Sequence, residues 1–491
     1  MKITDEEMLF PSDIPYDKVP PWRVKVVEYV TPTTRVQRKE LIKQFNWSVP
    51  NLPAEYVYVN MCTDSGTNAM SDRQWSAMML ADESYFNSKS WYPLQDVLQK
   101  FTGMDFVMPC HQGRSGEAII YEAFVKKGDL VPSNCHFTTT RAHCYYQEAE
   151  PVDLTCPEYF DENNSSWFKG NIDTEKMKAL FIEHGERIGL VELVVPNNLC
   201  AGQPVSMQNI REVRDIIDKY KKRDVLLCLD SARISENAWI IKKHEQGYGH
   251  KSCKEIVREM MSYADIAHMS AKKAGLVNTG GFISLRNKTD CQRLQPKLIR
   301  IDGFMTYGGM AGRDLEALAV GLVEGVNDYY LEDKQRQCDL FANACRTRGV
   351  ATYNPACTLG VWIMAEHCLP HIRKENGPGT ALCVQAFIEG GVGFTSMDSL
   401  HRGREDSKDP TNTQKIQLAP YELIRCAFPR RVYTDAHYEW CAESLYKAMC
   451  WGEKIPPYVR QKMSDIRPAL DPKDIGLRAF FDEYEPLFDH P

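Results

Sequence analysis

The chain has 491 residues, of which 43% are hydrophobic, 25% charged and 10% aromatic, and its 59 Lys and Arg against 66 Asp and Glu give a net charge of −7. This composition excludes a disordered, collagen-like or coiled-coil protein, and the acidic balance disfavours a dedicated binder of nucleic acid or anionic lipid. Apolar runs such as Ala317–Val323 are far shorter than the roughly 18 residues that a membrane helix needs.

Length and cysteine usage indicate a large globular protein of a reducing compartment. A chain of this size could form three or four typical domains, but one large α/β core with a smaller lobe also fits. The first residues, MKITDEEMLFPSDIP, lack the basic flank and apolar segment of a secretory signal, so we expect a cytoplasmic protein. The 17 cysteines show no CxxC pair and no metal-ligand spacing, which predicts reduced, mostly buried thiols.

The first candidate binding segment in chain order is a glycine-rich turn. His111–Glu117 (HQGRSGE) lies between the apolar segment FVMPC and a helix-like stretch. Glycines let backbone N–H groups approach an anion at a helix N-terminus, and an arginine adds a charged donor. Gln112, Gly113 and Arg114 therefore form a candidate phosphate cradle, although such a turn alone is weak evidence. Phe137, before three threonines, could provide a flat face for a ring or could simply belong to the core.

The middle of the chain alternates short apolar runs with amphipathic stretches. We predict strands over Gly189–Val195, Val225–Leu229 and Ala264–Met269, and a helix over Ser206–Arg223. Apolar runs that lack strict alternation and are separated by amphipathic helices are typical of buried parallel strands in βαβ units. The sequence therefore predicts an α/β fold.

Two of these predicted strands are followed by residues suited to catalysis. Asp230 directly follows one strand, and Lys272 and Lys273 lie shortly after the next. Alone, the acid could cap a helix and the lysines could be an exposed pair. At the strand ends of an open sheet, where ligands bind, burial would lower the pKa of a lysine and make it a nucleophile. Pyridoxal phosphate needs an imine-forming lysine and a carboxylate against its pyridine nitrogen, and Lys273 and Asp230 would provide both.

The later part of the chain is predicted to form a second lobe. Asp314–Tyr330 resembles one long helix, and the polar stretch Glu332–Gln337 could carry the chain out of the core. We expect Asp406–Gln417 to be a polar loop in that lobe. The predicted domains are an N-terminal arm with part of the small domain (1–60), a large cofactor-binding domain (61–330) and a small C-terminal domain (331–491).

Ordered motifs along the chain match a single family. They are Thr63–Asp72, Gln112–Glu117, Phe137–Thr140, Gly202–Ser206, Asp230–Asn237, Ser270–Gly281, Tyr307–Gly309 and Pro429–Thr434. The chain resembles the β-eliminating lyases, the family of tryptophanase and tyrosine phenol-lyase. The resemblance implies an aspartate-aminotransferase-like α/β fold (type I), with a large domain built on a mixed, mostly parallel seven-stranded sheet and a smaller α+β domain. It also implies pyridoxal 5'-phosphate as cofactor and a homotetramer with active sites at dimer interfaces.

The resemblance assigns roles to individual residues. Lys273 would carry the cofactor as a Schiff base and remove the Cα proton, and Tyr85 would protonate the leaving group. The other cofactor contacts would be Gln112, Gly113, Arg114, Phe137, Asn198, Asp230, Arg233, Ser270 and Lys272. Substrate contacts would be Thr63, Ser65, Thr138, Phe304, Met397, Arg425 and Ala479, with Arg425 gripping the α-carboxylate. Gly66, Glu83 and Asn278 would hold a monovalent cation, potassium by preference.

The implied reaction converts an L-amino acid to pyruvate and ammonia by loss of its β-substituent, but the pocket for the side chain departs from the family pattern. Met397 stands where tyrosine phenol-lyase has an arginine that recognises a hydroxyl, and Ala479 stands where the two enzymes have Phe or His. Cys357–Leu359, Ala274 and Pro50 also differ from the pattern. Either the substrate is another β-substituted amino acid, or the scaffold catalyses β-replacement, carbon–carbon bond formation or retro-aldol cleavage. Retention of Lys273 and Arg425 disfavours a regulator without activity.

Overall fold

A computed structural model describes residues 21–402, 404–405, 416–460, 484–488 and 490. The helices are α1 Arg35–Gln44, α2 Asp72–Leu80, α3 Trp91–Thr102, α4 Gly113–Phe124, α5 Thr138–Tyr146, α6 Thr174–His184, α7 Met207–Tyr220, α8 Ile234–His244, α9 Cys253–Ser262, α10 Lys288–Ile301, α11 Gly312–Glu324, α12 Asp328–Thr347, α13 Ala365–Cys368, α14 Pro378–Gly390, α15 Ser399–Arg402 and α16 Asp435–Met449. Within the described ranges, no helix is both long and apolar enough to cross a membrane.

The strands are β1 Val59–Asn60, β2 Phe106–Cys110, β3 Leu130–Ser133, β4 Glu150–Asp153, β5 Leu190–Val194, β6 Leu226–Asp230, β7 Ile266–Ser270, β8 Gly281–Leu285, β9 Gly360–Met364, β10 Val392–Gly393, β11 Thr395–Met397, β12 Arg404–Glu405, β13 Ile416–Gln417, β14 Leu423–Ala427, β15 Tyr458–Arg460 and β16 Tyr484–Pro486. Short 3-10 helices lie at Val49–Asn51, Ala54–Tyr56, Pro157–Phe160, Gly185–Arg187, Lys374–Asn376 and Gly452–Lys454.

The main sheet has seven strands in the order β2-β8-β7-β6-β5-β3-β4. Its strands pair in parallel except β8, which is antiparallel to both β7 and β2. The three predicted strands correspond to β5, β6 and β7, whose residues are almost all buried, as expected of strands covered by helices on both faces. The predicted mixed, mostly parallel seven-stranded sheet of an α/β fold is confirmed.

The apolar side chains form several separate cores. One extends from Trp91 to Leu331 and packs on the main sheet. Another combines residues 42–61 with residues 338–484 and surrounds the three-stranded antiparallel sheet β11-β14-β9. The predicted change of domain near residue 330 falls between these cores, and the domain limits stay a prediction.

The segment that follows β1 connects both cores. The N–H of Met61 donates to the carbonyl of Gly393 (2.8 Å), and the N–H of Ala427 donates to the carbonyl of Met61 (2.9 Å). A few residues later the N–H of Gly66 donates to the carbonyl of Lys272 (2.9 Å), beside the main sheet. Residues 61–66 therefore lie where the two parts of the molecule meet.

The expected single helix over Asp314–Tyr330 is wrong. α11 ends at Glu324, and α12 begins at Asp328 after Asn327, whose side chain accepts hydrogen bonds from the N–H groups of Tyr329 (3.0 Å) and Tyr330 (3.2 Å). Gly325 and Asn327 favour such a break because glycine is a poor helix former and asparagine is a good N-cap.

The polar stretch Glu332–Gln337 belongs to α12 and does not leave the core. Lys334 and Gln337 are buried on the same helix as Leu331, so the stretch continues a packed face. Of the expected loop Asp406–Gln417, residues 406–415 lie outside the described part of the chain, and Ile416–Gln417 pairs with β12.

Candidate active site

The carboxyl ends of β6 and β7 place the predicted lysine and aspartate at one edge of the sheet. Asp230 is the last residue of β6 and lies in register with His268 of β7, which ends two residues later at Ser270. The Asp230 carboxylate is buried and accepts a hydrogen bond from the N–H of Ala232 (3.0 Å). The Nζ of Lys273 donates to the Oγ of Ser270 (2.7 Å). Parallel strands thus bring the amine and the carboxylate to the edge where such sheets bind ligands.

Lys273 is prepared to act as a neutral amine. Burial lowers its pKa to about 7, and the positive charge of Arg233 acts in the same direction. The carboxylates of Asp64 and Asp230 oppose this shift. At neutral pH a large fraction of the side chain is therefore uncharged, which is the form that attacks a carbonyl or accepts a proton.

The glycine-rich turn meets the end of β7. Gln112 precedes α4, and a Cβ at Gly113 would lie 2.6 Å from the Cβ and 2.9 Å from the backbone N of Ser270, so only glycine fits. Arg114 is exposed at the same helix end. Asp302, which sequence reasoning missed, accepts hydrogen bonds from the N–H of His111 (2.8 Å) and the Oγ of Ser115 (2.8 Å) and so fixes the turn. The first turn of α4 is held against the strand that leads to Lys273.

A buried acid lies on the inner face of α4. The Oγ1 of Thr139 donates to the carboxylate of Glu117 (2.5 Å). Burial, together with the charges of Asp230 and Glu192, raises the pKa of Glu117 to about 7. This contact joins α4 to α5, whose first residue is Thr138 and whose N-cap is Phe137, both half-buried. The predicted ring-stacking segment is therefore tied to the predicted phosphate cradle.

The predicted cation residues are only partly brought together. Gly66 has a φ of +78°, and the Nδ2 of Asn278 donates to its carbonyl (3.0 Å). The side chain of Lys272 lies against Gly66, where a Cβ would be 2.7 Å from its Cε. Among the described residues, no hydrogen bond joins Glu83 to Gly66 or Asn278; its carboxylate accepts a hydrogen bond from the N–H of Gly312 (2.8 Å).

Arg425 offers an unused donor beside the predicted carboxylate site. It lies in β14 opposite Thr395 of β11, and its Nη2 donates to the carbonyl of Cys62 (2.8 Å). Its Nε is buried and has no hydrogen-bond partner within the described residues. The adjacent Thr63 accepts a hydrogen bond from the N–H of Ser65 through its Oγ1 (3.1 Å). A guanidinium with a free edge next to two hydroxyl side chains suits a carboxylate.

Two arginines and two acids form a buried charge cluster, which we define as Asp64, Arg233, Glu236 and Arg430. Asp64 accepts two hydrogen bonds of 2.7 Å from the Nε and Nη2 of Arg233, and Arg430 lies 3.1 Å away on its other side. Burial would raise the pKa of Asp64, but Arg233, with Arg430 and Lys273, holds it well below its usual range. Sequence reasoning missed Asp64, although it lies in the Thr63–Asp72 motif.

The residues predicted to contact the substrate side chain lie in two different surroundings. Met397 is buried in an apolar cluster with Trp362, Met364 and Leu423. Phe304 packs with Tyr85, Phe86 and Tyr307 in an aromatic group at the surface, with ring centroids 4.6–6.3 Å from that of Tyr85. Tyr85 is 57% exposed, and no hydrogen bond joins it to Lys273 in the described chain. Ala479 lies outside the described residues.

The residues present suit pyridoxal phosphate. Lys273, with a pKa of about 7, and the buried carboxylate of Asp230 lie at the ends of neighbouring strands. The glycine-rich N-terminus of α4 adjoins these strand ends. Asn198 is buried, and its Oδ1 has no hydrogen-bond partner among the described side chains and backbone groups, so a polar acceptor site remains for a ligand. Each part of the cofactor thus has chemically matched groups at this edge.

Solved structures of pyridoxal-phosphate enzymes share this architecture. Serine palmitoyltransferase of Sphingomonas wittichii gives a TM-score of 0.57 at 12% identity, covering 86% of this chain and 97% of that chain. A mutant aspartate aminotransferase of Thermus thermophilus gives 0.55 at 12% identity, covering 79% and 96%. Such low identity shows the fold alone. Fold and site together define the class: a pyridoxal-phosphate-dependent enzyme with the aspartate-aminotransferase-like (type I) fold.

Sequence comparison defines the family. The model of the β-eliminating lyase family matches residues 60–444. A probable β-eliminating lyase of Trichomonas vaginalis is 41% identical over 434 residues, covering 88% of this chain and 93% of the relative. Tyrosine phenol-lyase of Pasteurella multocida is 39% identical (87% and 92% covered), as is tryptophanase of Salinibacter ruber (92% and 95%). The chain belongs to the β-eliminating lyase family, as its motifs indicated, and is a pyridoxal-phosphate-dependent lyase.

Proposed function

We propose that this lyase removes the Cα proton of an L-amino acid and eliminates its β-substituent, releasing pyruvate and ammonia. The observation that carries the proposal is Lys273, a buried amine with a pKa of about 7 that donates to the Oγ of Ser270 and interacts with the charge of Asp230. An amine with this pKa can accept a proton at neutral pH. The relatives named tryptophanase and tyrosine phenol-lyase support the same chemistry.

The cofactor would be held by groups at or just beyond the ends of several strands and helices. Gln112, Gly113, Arg114, Ser270 and Lys272 would bind its phosphate, and Phe137 would stack on its ring. Asp230 would keep the pyridine nitrogen protonated, and Asn198 and Arg233 would lie at the phenolic oxygen. When bound, pyridoxal phosphate supplies an electron sink that stabilises negative charge at Cα.

The protein's own groups would then orient the substrate and move its protons. Arg425, with Thr63 and Ser65, would bind the α-carboxylate and fix the Cα–H bond towards Lys273. The neutral Nζ of Lys273 would accept the Cα proton, while its hydrogen bond to Ser270 restricts its direction. Tyr85 would donate a proton to the departing β-substituent.

Tyr85 requires a second copy of the chain in this scheme. Tyr85 is exposed, and so are the apolar side chains of Met79 (85%) and Leu80 (64%), which end α2 a few residues earlier in the chain. Exposed apolar patches of this kind mark interaction sites. We propose a homotetramer, a dimer of dimers, in which a second subunit covers this surface and receives Tyr85. Light scattering of the purified protein tests this: a tetramer is expected, Met79→Glu should dissociate it, and a monomeric wild type would contradict it.

The same arrangement would complete a potassium site. Gly66 and Asn278 already lie together, and Glu83 lies two residues before Tyr85 on the exposed surface. We propose that these three groups hold potassium when subunits associate. Activity should rise when potassium replaces sodium, and Glu83→Gln should abolish this difference.

The surroundings of Met397 favour a leaving group other than phenol. Trp362, Met364 and Leu423 lie in the same cluster, and none of these carries the charged, forked donor of an arginine, since the indole N–H of Trp362 is a single neutral donor. Because Ala479 replaces a larger residue, we propose a side-chain pocket that differs from those of both named enzymes. β-Replacement, carbon–carbon bond formation or aldol cleavage remain the second candidate.

The decisive experiment measures pyruvate and ammonia from tyrosine, tryptophan, serine, cysteine, S-alkylcysteines and threonine. The protein is supplied with pyridoxal phosphate and potassium. Lys273→Ala should abolish release, whereas Lys243→Ala, at a lysine on the outer face of α8, should not. No pyruvate from any substrate, with Lys273-dependent exchange of the Cα proton for solvent deuterium, would favour the second candidate. Loss of both reactions would contradict the proposal.

The cysteines support a cytoplasmic enzyme. All 17 are free thiols, and 15 of them are buried. Free thiols persist in reducing compartments. We propose that the enzyme acts in the cytoplasm, which subcellular fractionation with an antibody would test.

A further inference from the structure

The charge cluster lies between the proposed cofactor site and the proposed substrate site. Asp64 is fully buried, and its carboxylate accepts from the Nε and Nη2 of Arg233 in a fork-to-fork arrangement. On the other side, Arg430 contacts Asp64 through Nη1 and donates to Glu236 through Nε (2.9 Å). The four charges compensate one another, with two acids facing two arginines. Such a cluster is costly to bury unless each member is paired.

Asp64 has neighbours of both functional kinds. The residues before and after it, Thr63 and Ser65, belong to the segment proposed to bind the substrate carboxylate. Its principal partner, Arg233, is proposed to meet the phenolic oxygen of the cofactor. The charge of Asp64 also raises the pKa of Lys273, while the charge of Arg233 lowers it. One carboxylate thus acts on several parts of the site.

The geometry of Arg233 limits what it can offer a ligand. Asp64 uses its Nε and Nη2, and no hydrogen bond from its Nη1 to another described residue is present. A guanidinium held in this way presents one fixed edge, and its charge is partly neutralised by the bound carboxylate. Without that carboxylate, the full positive charge of Arg233 would face the cofactor end of Lys273.

We propose that Asp64 is a positioning residue that holds Arg233 and sets how strongly its charge acts on the Lys273-bound cofactor. This inference rests on the proposed function, because it assumes that the cofactor lies between Lys273 and Arg233. Asp64 is buried and lies 169 residues before Arg233 in sequence, and the inference gives this acid a role. It also connects the substrate-binding segment to the proton-accepting lysine through the charges of Asp64 and Arg233.

The test is a pH titration of the visible absorbance of pyridoxal phosphate attached to Lys273 in the purified holoenzyme. Asp64→Asn removes the charge but keeps the side chain's shape, and the titration midpoint should fall by about one pH unit. Glu236→Gln is the control at the other buried acid of the cluster, which donors of Arg430 contact and the side chain of Arg233 does not; it acts on Asp64 only through Arg430, so its midpoint should fall by clearly less than that of Asp64→Asn. An unchanged midpoint in Asp64→Asn, or equal shifts in both variants, would overturn the inference.

A second variant covers the case in which Asp64→Asn does not fold. Arg430→Gln combined with Glu236→Gln removes one charge of each sign, which is far milder than leaving a buried charge unpaired. Asp64 then pairs with Arg233 alone, so the midpoint should rise. An unchanged or lower midpoint would refute the proposal. Wild-type protein without Lys273-dependent absorbance would instead refute the proposed function, and the inference with it.

Discussion

Replacing Gly113 with alanine should separate the phosphate cradle from the strand that leads to Lys273. The new Cβ would lie 2.6 Å from the Cβ of Ser270 and 2.9 Å from its backbone N, against the 3.4 Å of ordinary contact. Because the Cβ and the backbone N of Ser270 cannot rotate away as a flexible side chain could, α4 or β7 must shift by about 0.8 Å, the difference between 3.4 and 2.6 Å. Overpacking of this kind costs about 1–3 kcal/mol. If that strain falls on the bound state, affinity for pyridoxal phosphate drops by about 5- to 150-fold.

The assay is a titration of the apoprotein with pyridoxal phosphate, followed by absorbance, together with melting curves in the presence and absence of cofactor. Gly249→Ala is the control, because a Cβ there meets only the carbonyl of Lys242 at 3.9 Å and φ is not positive. The control should match wild type in both measurements. If Gly113→Ala also binds the cofactor with wild-type affinity, the cradle does not depend on the contact with Ser270.

Three further outcomes are expected. The rate at which pyridoxal phosphate attaches covalently to Lys273 should increase as pH rises through about 7, because the neutral amine is the nucleophile. Trapping with borohydride and mass spectrometry measure this rate, and a pH-independent rate would contradict the expectation. Wild-type protein should lose up to ~3 kcal/mol of stability as pH rises from 4.5 to about 7, because folding raises the pKa of Glu117 to about 7. Melting curves of Glu117→Gln at the same pH values should lack this loss. Parallel pH profiles of the two proteins would refute the assignment to Glu117. Arg425→Lys should raise KM about 10- to 100-fold with a smaller effect on kcat, because an ammonium cannot bind a carboxylate in two places; an unchanged KM would place the carboxylate elsewhere.

The sheet and its strand-end residues were predictable because their signals are local. β5, β6 and β7 are short and mostly apolar, interrupted by Glu192 in β5 and His268 in β7; Asp230 ends β6, and Lys273 lies three residues after the end of β7. Parallel strands bring their carboxyl ends to one edge, so chain order alone placed these two side chains together. The family motifs then supplied the distant arginine, Arg425.

The remaining features depend on contacts between distant segments. Asp64 gains its meaning only from Arg233 and Arg430, which are 169 and 366 residues away in sequence. The break between α11 and α12 depends on Gly325 and the Asn327 cap, which the largely apolar pattern of the stretch hides. The exposed position of Tyr85 reflects packing among Phe86, Phe304 and Tyr307, for which the sequence carries no periodic signal.

The crossing of residues 61–66 between the two cores has a consequence for synthesis on the ribosome. The backbone of Met61 forms hydrogen bonds with the backbones of Gly393 and Ala427, and the N–H of Ala69 donates to the carbonyl of Arg430 (3.0 Å). Closing loops of more than 300 residues is slow, and these contacts cannot form until the partner segments have left the exit tunnel. A nascent chain that already contains Lys273 therefore still lacks the arginine and the strand that complete its surroundings. The enzyme becomes competent late, after nearly its whole length has been translated.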